Sequence, residues 1–376
     1  MAQTFVSGAN KVSSFSTKDS QQQSEQRHRR RWLREILTSL FNHFLLIFFG
    51  LFFFVPFLWM ISTALKSDQD VFRTPPTWLP HDNVRVIING QEAPLYNVTM
   101  SDGSVQQLAL LSIAEGKGTF VDPKSPSQTL EIRMKFAQPI LRVGLRWRNF
   151  VDAMNRATRP GLGVNFWTYF KNSLIIAFFS IVGTLLSCTP VAYGFARIHW
   201  PGRDKIFLLV LSTMMLPFQV TMIPLYLYYN DVLHWGDTFL PLIVPTFFAN
   251  AYDIFLLRQF FRTIPEELCD AARVDGASEW RIFTRIILPL SIPVLATIAV
   301  FTFLWAWNDF LGPLLFLTSP RNFTMALGLQ DFQGQHSVAW NLLMAASVVF
   351  TIPIIIAFFF AQRTFIQGIK LTGLKE

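Results

Sequence analysis

The amino-acid sequence predicts an all-α membrane protein with six transmembrane helices and a small β-rich insertion between the first two. Of its 376 residues, 51% are hydrophobic and only 15% are charged, and the mean hydropathy is +0.35. Soluble domains carry about 25% charged residues, so this composition indicates that lipid covers much of the surface. Six apolar stretches reach the length of about 20 residues that crosses a bilayer. They lie at 41–65, 172–196, 206–228, 238–257, 286–306 and 338–361.

Residues 1–33 are predicted to form a disordered, basic tail in the cytoplasm. They are rich in Ser, Gln and Lys, show no apolar period and end in a cluster of arginines, Arg27, Arg29, Arg30 and Arg31. Such a cluster suits an anionic membrane surface. No signal peptide is expected, because the polar lead is too long and the apolar run lacks a small-residue cleavage site. Residues 34–80 then hold the first transmembrane helix and a proline-rich exit.

The charges of the short loops predict how the spans are oriented. The loop after the second span is basic, with Arg197, Arg203 and Lys205. The loop after the third span holds Asp231 and Asp237 and no Lys or Arg. Five arginines follow the fourth span: Arg258, Arg262, Arg273, Arg281 and Arg285. This alternation predicts that both termini are cytoplasmic. It also attributes the net charge of +8 to cytoplasmic Lys and Arg, with no nucleic-acid partner.

Four prolines in the third and fourth spans predict kinks there. They are Pro217, Pro224, Pro241 and Pro245. Proline is tolerated inside transmembrane helices because neighbouring helices can satisfy the freed carbonyl groups. Ordinary helix curvature and a role in gating explain them equally well.

Residues 81–146 are predicted to form a β-rich insertion outside the membrane. Asn89-Gly90 and Asp102-Gly103 are typical hairpin turns. Apolar residues alternate in two runs, first Leu130, Ile132, Met134 and Phe136, then Leu141, Val143, Leu145 and Trp147. The many Lys and Arg of the segment do not change the predicted orientation, because long loops translocate largely regardless of charge. Residues 147–376 form the remaining membrane core, with five spans.

The cytoplasmic segment 263–289, which we name the elbow, is predicted to form two short helices joined by a bend. Thr263 and Glu266 have the spacing of a capping box, which places the start of the first helix there. Pro265 suits the first turn, and Gly276 suits the left-handed residue that ends such a helix. A second helix is predicted to begin near Ser278.

The charges of the elbow favour a protein partner over a lipid surface. Its acids are Glu266, Glu267, Asp270, Asp275 and Glu279, and its bases are Arg273, Arg281 and Arg285. Helices that lie on membranes are usually basic on their polar face. A net acidic elbow therefore predicts docking to a protein.

The elbow resembles the EAA loop of ABC importer permeases. That family pattern is E-A-A, three residues, G, nine residues, then I-x-L-P. Here the matching residues are Asp270-Ala271-Ala272, Gly276 and Ile286-Ile287-Leu288-Pro289, with Asp in place of the first Glu. The resemblance implies a coupling helix that enters a cleft of an ATPase subunit. The residues implicated are Glu266, Glu267, Asp270, Ala271, Ala272, Asp275, Gly276, Ile286, Leu288 and Pro289.

The resemblance extends over most of 41–80 and 147–376 and is greatest to the carbohydrate branch, the maltose-type permease subunit. Supporting stretches are Asn172-Ser173, Tyr193-Gly194-Phe195-Ala196-Arg197, Ile223-Pro224-Leu225-Tyr226 and Trp307-Asn308-Asp309-Phe310. It implies a subunit of a bacterial inner-membrane importer that moves a sugar or oligosaccharide by alternating access. The implied partners are a second permease forming a heterodimer, two ATP-binding cassette subunits that hold ATP and Mg, and an extracytoplasmic solute-binding protein. The long insertion departs from the short loop expected in most members.

No catalytic centre is expected in this chain. The phosphate-binding pattern G-x-x-x-x-G-K-[ST] is absent, and no Ser/His/Asp constellation has a credible context. Neither Cys188 nor Cys269 has a His or a second Cys at metal-ligand spacing. The sequence therefore predicts a transport subunit that is not an enzyme and carries no cofactor or metal of its own.

The solute contacts suggested by the sequence are Trp305, Trp307 and Asn308, near the outer end of the fifth span. The two indoles could stack on a pyranose ring. The alternative is a pair of interfacial tryptophans, which are common at membrane surfaces.

Two other functions stay open at this point. An ion-driven secondary transporter usually places carboxylates inside the membrane, and Asp253 is the only acid within a predicted span. Its position near the cytoplasmic end and Arg258 also fits an ordinary helix-end charge. A non-transporting receptor built around the insertion is the second alternative, and it leaves the EAA-like pattern unexplained.

Overall fold

The computed structural model describes residues 5–88, 90–100, 102–114, 116–156, 163–332 and 339–372. Two compact units divide the chain, Met1–Trp59 and Met60–Glu376. The α-helices are α1 (Phe5–Ala64), α2 (Asp68–Val71), α3 (Arg148–Asn155), α4 (Phe166–Arg197), α5 (Arg203–Thr213), α6 (Phe218–Leu227), α7 (Leu240–Ile243), α8 (Ala251–Thr263), α9 (Glu267–Val274), α10 (Glu279–Ile282), α11 (Leu288–Leu290), α12 (Ile292–Asn308), α13 (Leu311–Phe316), α14 (Met325–Gly328) and α15 (Trp340–Thr372). The strands are β1 (His81–Asn83), β2 (Arg85–Ile88), β3 (Gln91–Thr99), β4 (Val105–Ala114), β5 (Lys117–Asp122), β6 (Ser125–Arg133), β7 (Ala137–Pro139) and β8 (Leu141–Val143).

Helix α1 begins well before the predicted first span. It starts at Phe5, so residues 5–33 of the predicted disordered tail are helical in the structure. Residues 9–33 contain neither Gly nor Pro and are rich in Gln and Arg, which are good helix formers. The apolar part of the helix, Arg34–Ala64, is long enough to cross a membrane, and most of its side chains, such as Phe53, are exposed.

Four helical segments are long and apolar enough to cross a membrane, among the residues that the structure describes. They are Arg34–Ala64, Phe166–Arg197, Leu240–Thr263 and Trp340–Gln362. Two bent pairs also qualify if each pair counts as one span: Arg203–Thr213 with Phe218–Val232, and Glu279–Leu290 with Ile292–Asn308. The fold thus has between four and six candidate membrane helices.

The bends coincide with proline and with irregular turns. The first pair turns by 87° between α5 and α6, where Pro217 occupies the N-cap of α6. Pro224 lies inside α6, and a π-helical turn, Tyr228–Val232, follows it. The second pair turns by 76° at Ser291. Proline removes a backbone donor and crowds the preceding turn, which explains why the third span is broken rather than gently curved.

Segment 81–143 folds as a small antiparallel sheet. The strand order is β2-β3-β4-β5-β6, with β7 also paired to β3 and with β1 paired to β8 separately. Alternation along β4 sends Ala109 to one face and Leu108 and Leu110 to the other. Each face holds its own apolar cluster, the second one around Phe120.

The strand limits differ from the predicted alternation in two places. The run that ends at Phe136 leaves β6 at Arg133, and Met134–Phe136 forms a 3₁₀ turn. The run that ends at Trp147 leaves β8 at Val143, because Gly144 donates its backbone N–H to the carbonyl of Pro80 and Trp147 caps α3. The Asp102-Gly103 turn joins β3 to β4 with φ +81° at Gly103, whereas Asn89 lies outside the described residues.

Helix α4 is the centre of the membrane core. It packs on α8, α12 and the 3₁₀ turn Val244–Phe248. One apolar cluster surrounds its C-terminal half, with Cys188, Leu257 and Ile287. A second surrounds its N-terminal half, with Tyr169, Trp307 and Met325. The elbow lies against the first of these clusters.

Candidate coupling site

The elbow connects α8 to α12 through two short helices. The chain leaves α8 at Thr263, forms α9, bends at Gly276 and forms α10, which continues as a π-helical turn, Phe283–Ile287. Ser278 caps α10, because its hydroxyl accepts the backbone N–H of Arg281 at 3.4 Å, as the sequence predicts. The two-helix path of the elbow therefore follows the predicted outline.

The predicted start of the first elbow helix is wrong. Thr263 is the last residue of α8, and its hydroxyl donates to the carbonyl of Phe260 at 2.7 Å. Helix α9 begins at Glu267 with Glu266 at its N-cap, and no side chain caps it. The capping-box spacing was misleading because Pro265 restricts the preceding residue, Ile264, to an extended conformation, which separates the two helices.

Gly276 provides the left-handed residue that the bend requires. Its φ is +79°. Its N–H donates to the carbonyl of Arg273 at 3.0 Å, and that of Ala277 donates to Ala272 at 2.9 Å. These two bonds form a Schellman motif, which satisfies the last carbonyls of α9. A Cβ built on Gly276 meets no atom within 4 Å, so glycine is needed for its φ rather than for space.

The inner face of the elbow is anchored in the membrane core. Cys269 of α9 and Ile282 of α10 are fully buried, and Phe283 and Ile287 follow them into the same apolar cluster. Burial raises the pKa of the Cys269 thiol above its usual value, so this thiol is protonated at neutral pH. Cys269 serves here as a small apolar side chain.

The outer face of the elbow exposes apolar side chains. Val274 is 88% exposed, Trp280 68% and Leu268 46%. Val274 and Leu268 were not predicted from the sequence. The signal in the sequence was Val274, an apolar residue on the polar side of a short amphipathic helix.

An ion network joins the two sides of the bend. Arg273 donates to Glu279 Oε1 from Nε at 2.8 Å and to Asp270 Oδ1 from Nη1 at 2.7 Å. The hydrogen bond to Glu279, which outweighs the opposing effect of partial burial and is reinforced by Asp270, raises the pKa of Arg273. Arg273 thus pairs with the first acid of the EAA-like pattern, whose side chain stays exposed.

The structure places all the predicted coupling residues on the elbow, but their side chains differ in solvent exposure. Seven are exposed: Glu266, Glu267, Asp270, Ala271, Asp275, Gly276 and Pro289. Three are half-buried: Ala272, Ile286 and Leu288. Of these, the six exposed residues between Glu266 and Gly276 lie on α9 or at its two ends. Ile286, Leu288 and Pro289 lie at the other end of the elbow, where the chain enters α12. We therefore assign them to the support of the elbow rather than to its docking surface.

The predicted solute residues separate in the structure. Trp307 is fully buried, its indole stacks on Phe303 and Phe350, and Nε1 donates to the carbonyl of Phe350 at 3.1 Å. Its ring is therefore not available to a sugar. Trp305 is 62% exposed. Asn308 is exposed, and its amide donates to the carbonyl of Leu304 at 2.8 Å.

Asp253 has a structural explanation. It is buried in the first turn of α8, where Asn250 is the N-cap. The amide of Asn250 donates to Asp253 Oδ2 at 2.6 Å, and the backbone N–H of Asp253 donates back to Asn250 Oδ1 at 2.9 Å. This reciprocal pair is a helix cap.

No group of three or more His, Cys, Asp or Glu side chains that could hold a metal ion occurs in the described part of the chain. Cys188 and Cys269 are both free and buried.

Apolar helices that can cross a bilayer, joined to an exposed elbow, define a membrane-embedded transport subunit. The sequence pattern of the family "Binding-protein-dependent transport system inner membrane component" matches residues 188–371. The chain belongs to this family. It is the permease subunit of an ABC importer, a multi-pass membrane protein without a nucleotide-binding site of its own.

The relatives include two arabinooligosaccharide transport permeases, both named AraQ. The one from Halalkalibacterium halodurans is 39% identical over 218 residues, which are 58% of this chain and 76% of the relative. The one from Bacillus subtilis is 36% identical over 245 residues, 64% of this chain and 86% of the relative. The sn-glycerol-3-phosphate permease UgpE of Salmonella typhimurium is 37% identical over 214 residues, 56% of this chain and 75% of the relative.

A solved structure has the same fold. It is a chain of a bacterial ABC transporter involved in the import of the acidic polysaccharide alginate. The superposition gives a TM-score of 0.60 at 20% sequence identity and covers 87% of this chain and 96% of the other. The family match and the relatives confirm the predicted membership of the ABC importer permeases, and the solved structure shows the shared fold.

Proposed function

We propose that this permease couples to a separate ATPase through the elbow. The docking surface consists of Glu266–Gly276, which includes the exposed Val274, together with Trp280. The observation that supports this most directly is the division of the elbow into a buried inner face and an exposed apolar outer face. Exposed apolar side chains grouped on one loop are typical of a surface that a protein partner covers. The acidic side chains around this face favour a partner surface with basic residues.

The topology of the proposal has six spans, with each bent helix pair crossing once and both termini in the cytoplasm. The support is the alternation of loop charge, together with the even number of spans that cytoplasmic termini require. In this arrangement 81–143 is extracytoplasmic and can meet a solute-binding protein. The full assembly is a heterodimer of this chain and a second permease, two cassette subunits that bind ATP and Mg, and the binding protein.

The proposed solute is a sugar or oligosaccharide. Two relatives are named for arabinooligosaccharides, and the solved structure with the same fold belongs to a polysaccharide importer. The relative named for sn-glycerol-3-phosphate keeps the solute class broad. An uptake screen in proteoliposomes tests this, and competition by amino acids or peptides alone contradicts it. The same vesicles test the alternative, an ion-driven secondary transporter. Collapse of the ion gradient stops uptake only if the ion gradient drives it.

A charge placed on the docking surface tests the coupling role. Val274→Glu adds a carboxylate to an apolar side chain that is 88% exposed, so the fold has no reason to change. Gln259→Glu adds the same charge to the exposed face of α8 and is the matched control. We expect Val274→Glu to reach the membrane normally and to lose the ATPase subunit during purification, whereas Gln259→Glu retains it. Retention of the ATPase by both variants contradicts this docking surface.

A further inference from the structure

The C-terminal end of α4 lies directly against the elbow. Tyr193 and Arg197 are one turn apart on the same face of α4, and both are almost fully buried, at 4% and 5% exposure. The ring of Tyr193 packs on Phe283, with ring centroids 5.1 Å apart. Each side chain makes its polar contacts with a different part of the elbow.

Tyr193 connects α4 to the ion network across the bend. Its hydroxyl donates to Glu279 Oε2 at 2.5 Å, while Oε1 of the same carboxylate accepts from Arg273. Arg273 in turn bonds Asp270. The resulting chain, Tyr193 to Glu279 to Arg273 to Asp270, links a membrane helix to both α9 and α10. Every step is a hydrogen bond to a charged group, which is stronger than a neutral one.

Arg197 connects α4 to the entrance of the elbow. Its Nη2 donates to the carbonyls of Phe261 and Ile264, and Nη1 lies 3.9 Å from Glu266 Oε2. The carbonyl of Phe261 belongs to the last turn of α8, where carbonyls lack partners within the helix. Arg197 thus contacts both the end of α8 and Glu266, the N-cap residue of α9.

We propose that Tyr193 and Arg197 are positioning residues that hold the elbow in one orientation on α4, so that elbow and helix move together when the ATPase pulls. This rests on the proposed coupling role of the elbow. The contacts are divided between the two helices of the elbow and its entrance, so loss of either one frees part of it. The rings and the buried apolar face remain, which keeps the elbow folded.

The exposure of Glu279 separates a positioning role from a general structural one. Its side chain is 44% exposed, so water replaces the hydroxyl when Tyr193 becomes Phe, and little stability is lost. The Phe ring retains the contact with Phe283. A purely structural role therefore predicts no change in Tyr193→Phe, whereas a positioning role predicts a complex that hydrolyses ATP without moving solute in step.

The experiment measures ATP hydrolysis and solute uptake together in proteoliposomes that contain the full complex and its binding protein. The variants are Tyr193→Phe, Glu279→Gln and Arg197→Lys, which keeps the charge but loses the fork of donors. We expect each to retain the ATPase subunit and to transport about two- to tenfold less solute per ATP, the population change that one hydrogen bond supports. Tyr252→Phe and Arg262→Lys on α8 are matched controls, and neither changes the ratio.

A double variant completes the test. If Tyr193 and Glu279 act through their contact, Tyr193→Phe with Glu279→Gln loses no more coupling than Glu279→Gln alone, which also weakens the bond to Arg273. Losses that multiply, or a ratio equal to that of the unmodified complex in Tyr193→Phe, contradict the positioning role. An unmodified chain that binds no ATPase contradicts the proposed coupling function instead. If Arg197→Lys fails to assemble, Tyr193→Phe decides the test, because its ring keeps the contact with Phe283.

Discussion

Arg146 donates from Nη2 to Asp82 Oδ1 at 2.9 Å across the two strands that connect the insertion to the membrane core. Those strands pair His81 with Val143 and Asn83 with Leu141. The next bond, from Val84 N–H to the carbonyl of Ile140, is 2.9 Å long. The insertion therefore leaves the core through a short, closed stem and can be removed at that stem.

Replacing residues 84–140 by a short Gly/Ser linker should lower transport while the complex still assembles in the membrane. The linker joins Asn83 to Leu141, which already pair across β1 and β8, so the stem and the junction behind it remain. Uptake and complex yield are measured on the same preparation. Arg146→Met, which loses only the stem ion pair, is the milder comparison. Full activity of the deletion shows that the insertion has no role in transport.

Single cysteines test the proposed orientation of the insertion and the elbow. Ile87 of β2 is 77% exposed and Val274 of the elbow is 88% exposed, so both positions react readily when a reagent can reach them. The native Cys188 and Cys269 are first replaced by Ala. In intact cells, a membrane-impermeant thiol reagent should label Ile87→Cys and not Val274→Cys. The opposite labelling reverses the topology, and permeabilised cells, in which both react, are the control.

Much of the elbow could be predicted because its signals are local. The left-handed residue at Gly276 and the cap at Ser278 each depend on a few neighbouring residues and on backbone geometry. The start of α9 was misplaced because two local signals, the capping-box spacing and Pro265, disagree and proline decides. Local signals therefore locate turns better than they locate helix starts.

The contacts across the chain could not be read from the sequence. Tyr193 and Glu279 are 86 residues apart, and Trp307 and Phe350 are 43 apart. The hydrophobic periodicity of these segments does not indicate which aromatic ring is buried, because the segments belong to long apolar runs. The membrane adds to this difficulty, because lipid and protein interiors select the same apolar residues. The exposed Trp305 and the buried Trp307 therefore look alike in the sequence.

The two tryptophans should respond differently to substitution. Trp307→Ala removes a fully buried ring and should destabilise the protein by about 3–5 kcal/mol. Trp305→Ala should change stability by less than about 0.5 kcal/mol, because the side chain is 62% exposed. Thermal unfolding in detergent measures both. If Trp305 contacts the solute, its Ala variant also raises the KM of uptake, and an unchanged KM assigns it to the lipid interface.

Asp237 should stabilise the loop between the third and fourth spans, and the effect should fade in acid. Burial opposes its charge, but hydrogen bonds from Ser319, Thr318 and Asn322 outweigh that effect and lower its pKa to about 2 from 3.8. Because the folded pKa is depressed, the stabilisation is complete above about pH 4 and is lost as the pH falls through about 2. Asp237→Asn should therefore lower the melting temperature by a constant amount between about pH 5 and 8.

The same measurement on Asp231→Asn is the control, since Asp231 lies in the same loop and is exposed. The difference between Asp237→Asn and the unmodified protein should shrink below about pH 4, because the carboxyl of Asp237 then becomes protonated in the unfolded chain while it stays ionised in the folded protein. A gap that stays constant down to about pH 3 contradicts this assignment.

Substitution of Gly276 should uncouple the transporter without unfolding it. A residue with a Cβ adopts the left-handed φ of +79° at a cost of about 1–2 kcal/mol, and no atom lies within 4 Å of that Cβ. The strain is too small to unfold the spans but is enough to favour another path for the chain between α9 and α10. Gly276→Val should therefore assemble in normal amounts and hydrolyse ATP without a matching uptake of solute.

Gly202 provides a control with equal strain away from the elbow. Its φ is +86°, and a Cβ there also meets no atom within 4 Å. Gly202→Val thus carries the same backbone penalty at the N-cap of α5. If uncoupling follows from the bend, only Gly276→Val shows it, in the ratio of solute moved to ATP hydrolysed. Equal losses in both variants attribute the effect to backbone strain in general, and a normal ratio in Gly276→Val removes the bend from the coupling mechanism.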